Sequence, residues 1–164
     1  MRKWIVVAFG AAALWFAVPV MAANIFQFNG ISLGMSLNDL RAKFPNMVCD
    51  DEGAQITTCS EEHGSGDTAE VYVFNMYGGK VARANIWFSA SKYREAKDTL
   101  IHQLGRPSNK MDTEIEKKKV EVLTWMRSAP SGLIVLEQAV ANDPTKTNLM
   151  MNDDALVGQM AKAK

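Results

Sequence analysis

The chain has 164 residues, 48% of them hydrophobic, and its 18 basic and 18 acidic side chains give a formal net charge of +0. No surplus of positive charge is available to neutralise phosphates, so the composition speaks against nucleic-acid binding, and no basic amphipathic stretch argues for a membrane surface. Beyond the first 23 residues the remaining length suits one domain, long enough to bury a core without a metal.

The chain opens MRKWIVVAFGAAALWFAVPVMAAN. Arg2 and Lys3 precede an uncharged apolar run from Trp4 to Val20, and Val20-Met21-Ala22 fits a small-residue cleavage pattern. This is the layout of a signal peptide over residues 1–23, cut after Ala22 or Ala23. A retained anchor is the alternative, although the run is a little short of the ~20 residues that a spanning helix needs. The expected location is therefore the periplasm of a Gram-negative bacterium or the exterior. A single domain is expected over residues 24–152, with a flexible or short helical tail over 153–164.

The stretch GISLGMSLNDLRAKFPNMVC predicts a short helix. Ser36 is a good N-cap, Asp39 stands at N3, and Met35 and Leu40 fit a hydrophobic staple. Leu37, Leu40 and Phe44 share one helical face, and Pro45 stops it. Cys49 and Cys59 follow as the chain's two cysteines. They flank a turn near Gly53-Ala54, and Ile56-Thr57-Thr58 has strand character, so a hairpin would set them opposite one another. In an oxidising compartment they are expected to form a structural disulfide; no C-x-x-C redox spacing is present.

AEVYVFNMYGGKVARANIWFS predicts two strands about Gly78-Gly79, a tight hairpin whose turn needs positive φ. Ala82, Ala84, Ile86 and Phe88 alternate with Val81, Arg83, Asn85 and Trp87, so one face is apolar and the other mixed. A second helix follows in SASKYREAKDTLIHQLGRPS. Ser89 or Ser91 can cap it, and Tyr93, Ala96, Leu100, Ile101 and Leu104 form its stripe with Lys97 at the flank. Gly105 and Pro107 end it. SNKMDTEIEKKK reads as a polar connection projecting into solvent. KVEVLTWMRS and GLIVLEQAV form a hairpin about APSG, TKTNLMMND a further strand, and DALVGQMAKAK a short frayed helix. The expected class is α+β: an antiparallel sheet of hairpins with two capped helices packed on one face. The order α-β-β-β-β-α-β-β-β also admits an α-β repeat.

Gly34-Met35-Ser36 and Leu104-Gly105-Arg106-Pro107 resemble the helix start and helix end of small envelope proteins of the BamE (SmpA/OmlA) and β-lactamase-inhibitor-protein-like group. That resemblance implies helices packed on an antiparallel sheet. It also implies protein binding or enzyme inhibition in the envelope rather than catalysis, and it transfers no functional residue.

Catalytic groups are sparse. Of the two histidines, His102 falls on the second helix, and His63 lies in SEEHGSGD, read as a solvated acidic loop with Glu61, Glu62 and Asp67. Their spacing matches neither a zinc site nor an EF-hand. A hydrolase built on His63 would need a serine or paired carboxylates beside it, and no G-x-S-x-G elbow occurs. Asp50-Asp51 and Asp153-Asp154 are sequence neighbours at turns. The methionines are scattered without an M-x-x-M repeat and suit core filling better than Cu(I). No metal site and no cofactor are expected.

The aromatic residues Trp87, Trp125, Tyr72 and Tyr77 could form a binding surface, and alternation puts Trp87 beside Arg83 and Asn85 on the mixed face. Arg83, Asn85 and Trp87 are thus the candidate binding face for a protein partner in the cell envelope. A small-ligand or lipid-binding protein, with a cavity between Phe44, Leu104 and the sheet, is the second functional reading.

Overall fold

The computed structural model describes residues 26–163 apart from 116, 129, 130 and 142; the signal segment expected over 1–23 lies outside the described residues. The described chain begins with a small hairpin, β1 (Gln27–Phe28) and β2 (Ile31–Ser32). Its turn is Asn29-Gly30, with φ of 49° and 74°, the left-handed pair that Asn-Gly adopts at little cost. Phe26, Phe28 and Ile31 are thereby sent into the core.

Helix α1 (Leu37–Lys43) starts where the Ser36 side chain accepts a hydrogen bond from the Asp39 amide at 3.2 Å. The Ser36 hydroxyl in turn donates to the Asp39 carboxylate at 2.6 Å. Leu40 is buried within the helix and Phe44 just beyond it, while Met35 and Leu37 pack at the core's margin. Four antiparallel strands follow: β3 (Val48–Gly53), β4 (Ile56–His63), β5 (Glu70–Tyr77) and β6 (Lys80–Ser89). Cys49 and Cys59 are register partners in the β3–β4 pair and are joined by a disulfide.

Helix α2 (Tyr93–Leu104) is entered differently from the expectation. Ser89 accepts from the Ser91 amide and so supports a 3₁₀ turn over Ala90–Lys92. The helix N-cap itself is Lys92, which makes no side-chain cap bond. Gly105, at φ 81°, ends the helix with its amide bonded to the Ile101 carbonyl. Strands β7 (Asn109–Ile115), β8 (Lys118–Ser128), β9 (Ser131–Glu137) and β10 (Lys146–Asp153) come next, and α3 (Asp154–Ala163) closes the described chain.

The segment read as a polar connection is therefore β7. It pairs with β8 on one side only, and its six residues from Asn109 to Glu114 are all exposed. An edge strand wet on both faces carries no hydrophobic period to reveal it.

Strands β3 to β10 form one eight-stranded sheet in the order β3-β4-β5-β6-β10-β9-β8-β7. A helix followed by a four-stranded meander occurs twice, and the two halves meet antiparallel through their last strands, β6 and β10. The class is α+β.

Alternate residues of the central strands turn to one face and are buried there: Tyr72, Phe74 and Met76 on β5, Ala84, Ile86 and Phe88 on β6, Leu149 and Met151 on β10, Ile134 and Leu136 on β9. Leu40 and Phe44 from the α1 region and Tyr93, Ala96 and Leu100 from α2 belong to the same cluster. Val81, expected on the mixed face, is buried instead. A bulge opposite Asn75 and Met76 makes Val81 rather than Ala82 the partner of Met76, which turns Val81 inward. Trp125 is also core, its indole N–H donating to the Gly105 carbonyl at 2.9 Å, and Tyr72 is buried beside Phe44 and Phe74. Neither is available to a binding surface.

Candidate functional site

Arg83, Asn85 and Trp87 alternate along β6 with the buried Ala84, Ile86 and Phe88, so all three sit on the sheet face opposite the core. The register extends this trio across neighbouring strands. Trp87 stands between Val71 of β5 and Asn148 of β10, Asn85 between Val73 and Met150, and Arg83 between Asn75 and Asn152. One strand further, Asn148, Met150 and Asn152 face Glu137, Val135 and Leu133 of β9.

The result is a grid of apolar Trp87, Val71, Val73, Met150, Val135 and Leu133, interleaved with amides and one guanidinium. Each of these residues is half-buried. Arg83 Nε donates to Asn152 Oδ1 at 2.8 Å, Asn75 Nδ2 to Thr58 Oγ1 at 3.0 Å, and Asn148 Nδ2 to Glu137 Oε2 at 3.1 Å. Asn148 Oδ1, next to Trp87, accepts no hydrogen bond.

The β6 residues of this face were readable from alternation. Val71, Val73, Asn148 and Met150 were not, because their place beside Trp87 depends on β6 pairing with a strand about sixty residues downstream. Alternation within each strand marks a face; only the pairing of β6 with β10 says which residues share it.

The other groups weighed for chemistry are tied up structurally. Glu61 and His63 are on β4, not in a loop. The Glu61 side chain is only 3% exposed, with Oε1 2.5 Å from His63 Nε2. The His63 ring packs against Phe44 and Tyr72, 5.7 and 5.3 Å away between centroids. The Glu61 carboxylate thus holds one imidazole nitrogen of His63, Nε2. Glu62 is exposed, Asp67 sits in a 3₁₀ turn over Gly66–Thr68, and His102 is exposed on α2. No group of three or more potential metal ligands gathers among the described residues. Phe44 packs on Tyr72 and Phe74, whereas Leu104 lines a separate cleft with Phe26, Trp125 and Met126.

A second electrostatic centre surrounds Glu121 on β8. Its carboxylate accepts from the Tyr93 hydroxyl, from Lys97 Nζ at 2.5 Å and from Lys110 Nζ at 2.6 Å. Burial works against its charge, but the bonds from Lys110, Lys97 and Tyr93 outweigh it and hold the group at about 2. Burial and the same carboxylate push the Tyr93 phenol up. A carboxylate held so low is a poor proton acceptor at neutral pH; this cluster fastens α2 to β7 and β8.

Because the folded-state value lies below the ordinary 4.5, the stabilisation is complete above about 4.5 and fades as the pH falls toward 2. Glu121→Gln should lower the unfolding free energy by about 1–2 kcal/mol at pH 7. In urea titrations across pH, the gap between variant and wild type should close on the acid side.

No helix among the described residues is long and apolar enough to cross a membrane. No protein-family model matches the chain, and no curated protein and no solved structure matches it either.

Proposed function

We propose that the chain is a non-catalytic exported protein-binding domain that presents the sheet face around Arg83, Asn85 and Trp87 to another protein of the cell envelope, as an inhibitor, an immunity protein or an assembly factor would. The observation that carries this reading is the register-built grid in which Trp87 and Arg83 share one surface with four strands' worth of valine, methionine and asparagine side chains. Large aromatic and arginine anchors set among small adaptable polar groups are the composition of protein interfaces. The helix-terminal likeness to BamE-like envelope proteins and the Cys49–Cys59 disulfide fit an exported protein of this kind.

In this account α1 and α2 cover the core face, and α3 lies across one end of the other. Ser131, on the same face as Leu133, donates to Asp154 at 2.5 Å at the start of α3. The helix then approaches β9, β10, β6 and β5 without adding a side chain to the core. Ten residues of helix span about 15 Å, matching the roughly 14 Å across four adjacent strands. Trp87 lies four residues along β6 from Arg83, about 13 Å away, which leaves it as the centre of the uncovered part.

Arg83→Ala combined with Trp87→Ala should reduce capture of the partner from envelope extract by roughly 30-fold, the effect of losing one interface anchor, in a double variant whose circular dichroism shows it still folded. Equal capture by a folded double variant would contradict the assignment.

A further inference from the structure

On the core side of the sheet, between the β1–β2 hairpin and α2, lies a cavity of about 100 Å³. It is smaller than the roughly 150 Å³ space that admits benzene in an engineered apolar core, so it suits a group of a few heavy atoms. Its apolar wall is made by Phe28, Tyr72, Ile86 and Phe88. The Phe28 and Phe88 rings are nearly parallel, 16° apart in plane and 6.2 Å between centroids. The mouth is ionic: Glu70, Glu95 and Lys92 line it.

Two carboxylates and one ammonium leave one negative charge in excess there. Glu70 accepts from the Tyr72 hydroxyl at 2.6 Å and from Lys92 Nζ at 2.5 Å. Burial opposes its charge, but these bonds hold Glu70 below the usual carboxylate range. The Lys92 side chain is half-exposed, and an exposed pair of this kind opens readily.

We infer that this cavity binds a compact alkylated ammonium ion, its methyl groups against Phe28, Tyr72 and Phe88 and its charge facing Glu70 and Glu95. Three properties together select that class. Aromatic walls attract a cation through their electron-rich faces. A quaternary ammonium has no N–H donor and asks for no hydrogen bonds from an apolar wall. The excess negative charge at the mouth favours a cation over an anion or a neutral solute. Lys92, already paired with Glu70, acts as a tethered cation that the ligand displaces or joins. The site faces away from Arg83, Asn85 and Trp87, so it stands or falls independently of the protein-binding face.

The test uses choline and its neutral isostere 3,3-dimethyl-1-butanol, titrated into the purified chain and followed by calorimetry and by NMR of the α2 amides. Choline should saturate with a dissociation constant on the order of 1 mM, and the isostere should bind about tenfold more weakly. Glu95→Gln, at an exposed position, should weaken choline several-fold without changing the melting temperature. Lys92→Ala, by raising the excess negative charge, should tighten it. Equal affinity for the two probes would overturn the inference. So would a choline affinity indifferent to Glu95→Gln and Lys92→Ala, or no saturation with choline up to roughly 50 mM.

Discussion

Phe74→Ala is expected to lower the unfolding free energy by about 3–5 kcal/mol, a large share of the 5–15 kcal/mol typical of a domain. Phe74 is fully buried at the middle of β5. Its ring lies 5.2 Å from that of Phe44 and 6.4 Å from that of Tyr72, and in register it stands between Cys59 on β4 and Ala84 on β6. The side chain thus joins the end of α1 to three strands at once.

Its surroundings cannot close over the gap. Ala84 is already small, Cys59 is fixed by its bridge, and Phe44 is held by Tyr72 as well. A site with so little freedom to collapse belongs at the upper part of the range, because the residual cavity adds to the lost transfer energy. Chemical denaturation followed by tryptophan fluorescence would measure it, and a loss below about 1 kcal/mol would mean that α1 is not anchored there.

The second large effect belongs to the disulfide. Removing it by Cys49→Ala with Cys59→Ala should cost about 3 kcal/mol. The sequence separation of 10 sets the loop-closure entropy restored to the unfolded chain, and a little apolar contact is lost at the fully buried Cys59. Reduction of the wild type by dithiothreitol should lower its unfolding free energy by a similar amount, and the double variant should no longer respond to reductant. Since Cys59 and Phe74 are register partners, the two perturbations share a site. Combining them should cost less than the sum of the separate losses.

The contrast between what could and could not be read in advance has a physical origin. Local chemistry was legible: Ser36 and Asp39 at the start of α1, Gly105 at the end of α2, Gly78-Gly79 with φ of 56° and 73°, and the alternation that sends Ile86 in and Trp87 out. The Asn29-Gly30 turn was equally local, and its dipeptide is a hairpin signal, yet two-residue strands are too short to show a period. β7 escaped because an exposed edge strand has no apolar face. Val81 escaped because a bulge is set by the partner strand, not by its own sequence. His63 read as loop because its polar neighbours conceal that Glu61 is turned inward beside His63, whose ring packs against Phe44 and Tyr72.

The candidate face was half legible for the same reason. Arg83, Asn85 and Trp87 follow from alternation along one strand. Their partners Val71, Val73, Asn148 and Met150 follow only from sheet order, a long-range property. The cavity beside Phe28 depends on three segments, β1–β2, the sheet and α2, which no local pattern brings together.

The account turns on whether the uncovered sheet face meets another protein. The direct measurement is photo-crosslinking in intact cells, with a photoreactive amino acid placed at position 85 or 87 and, as a control, at position 103 on the exposed side of α2. A discrete adduct from 85 and 87 that is absent from 103 is the predicted result. No adduct from the face, or the same adducts from all three positions, would contradict it.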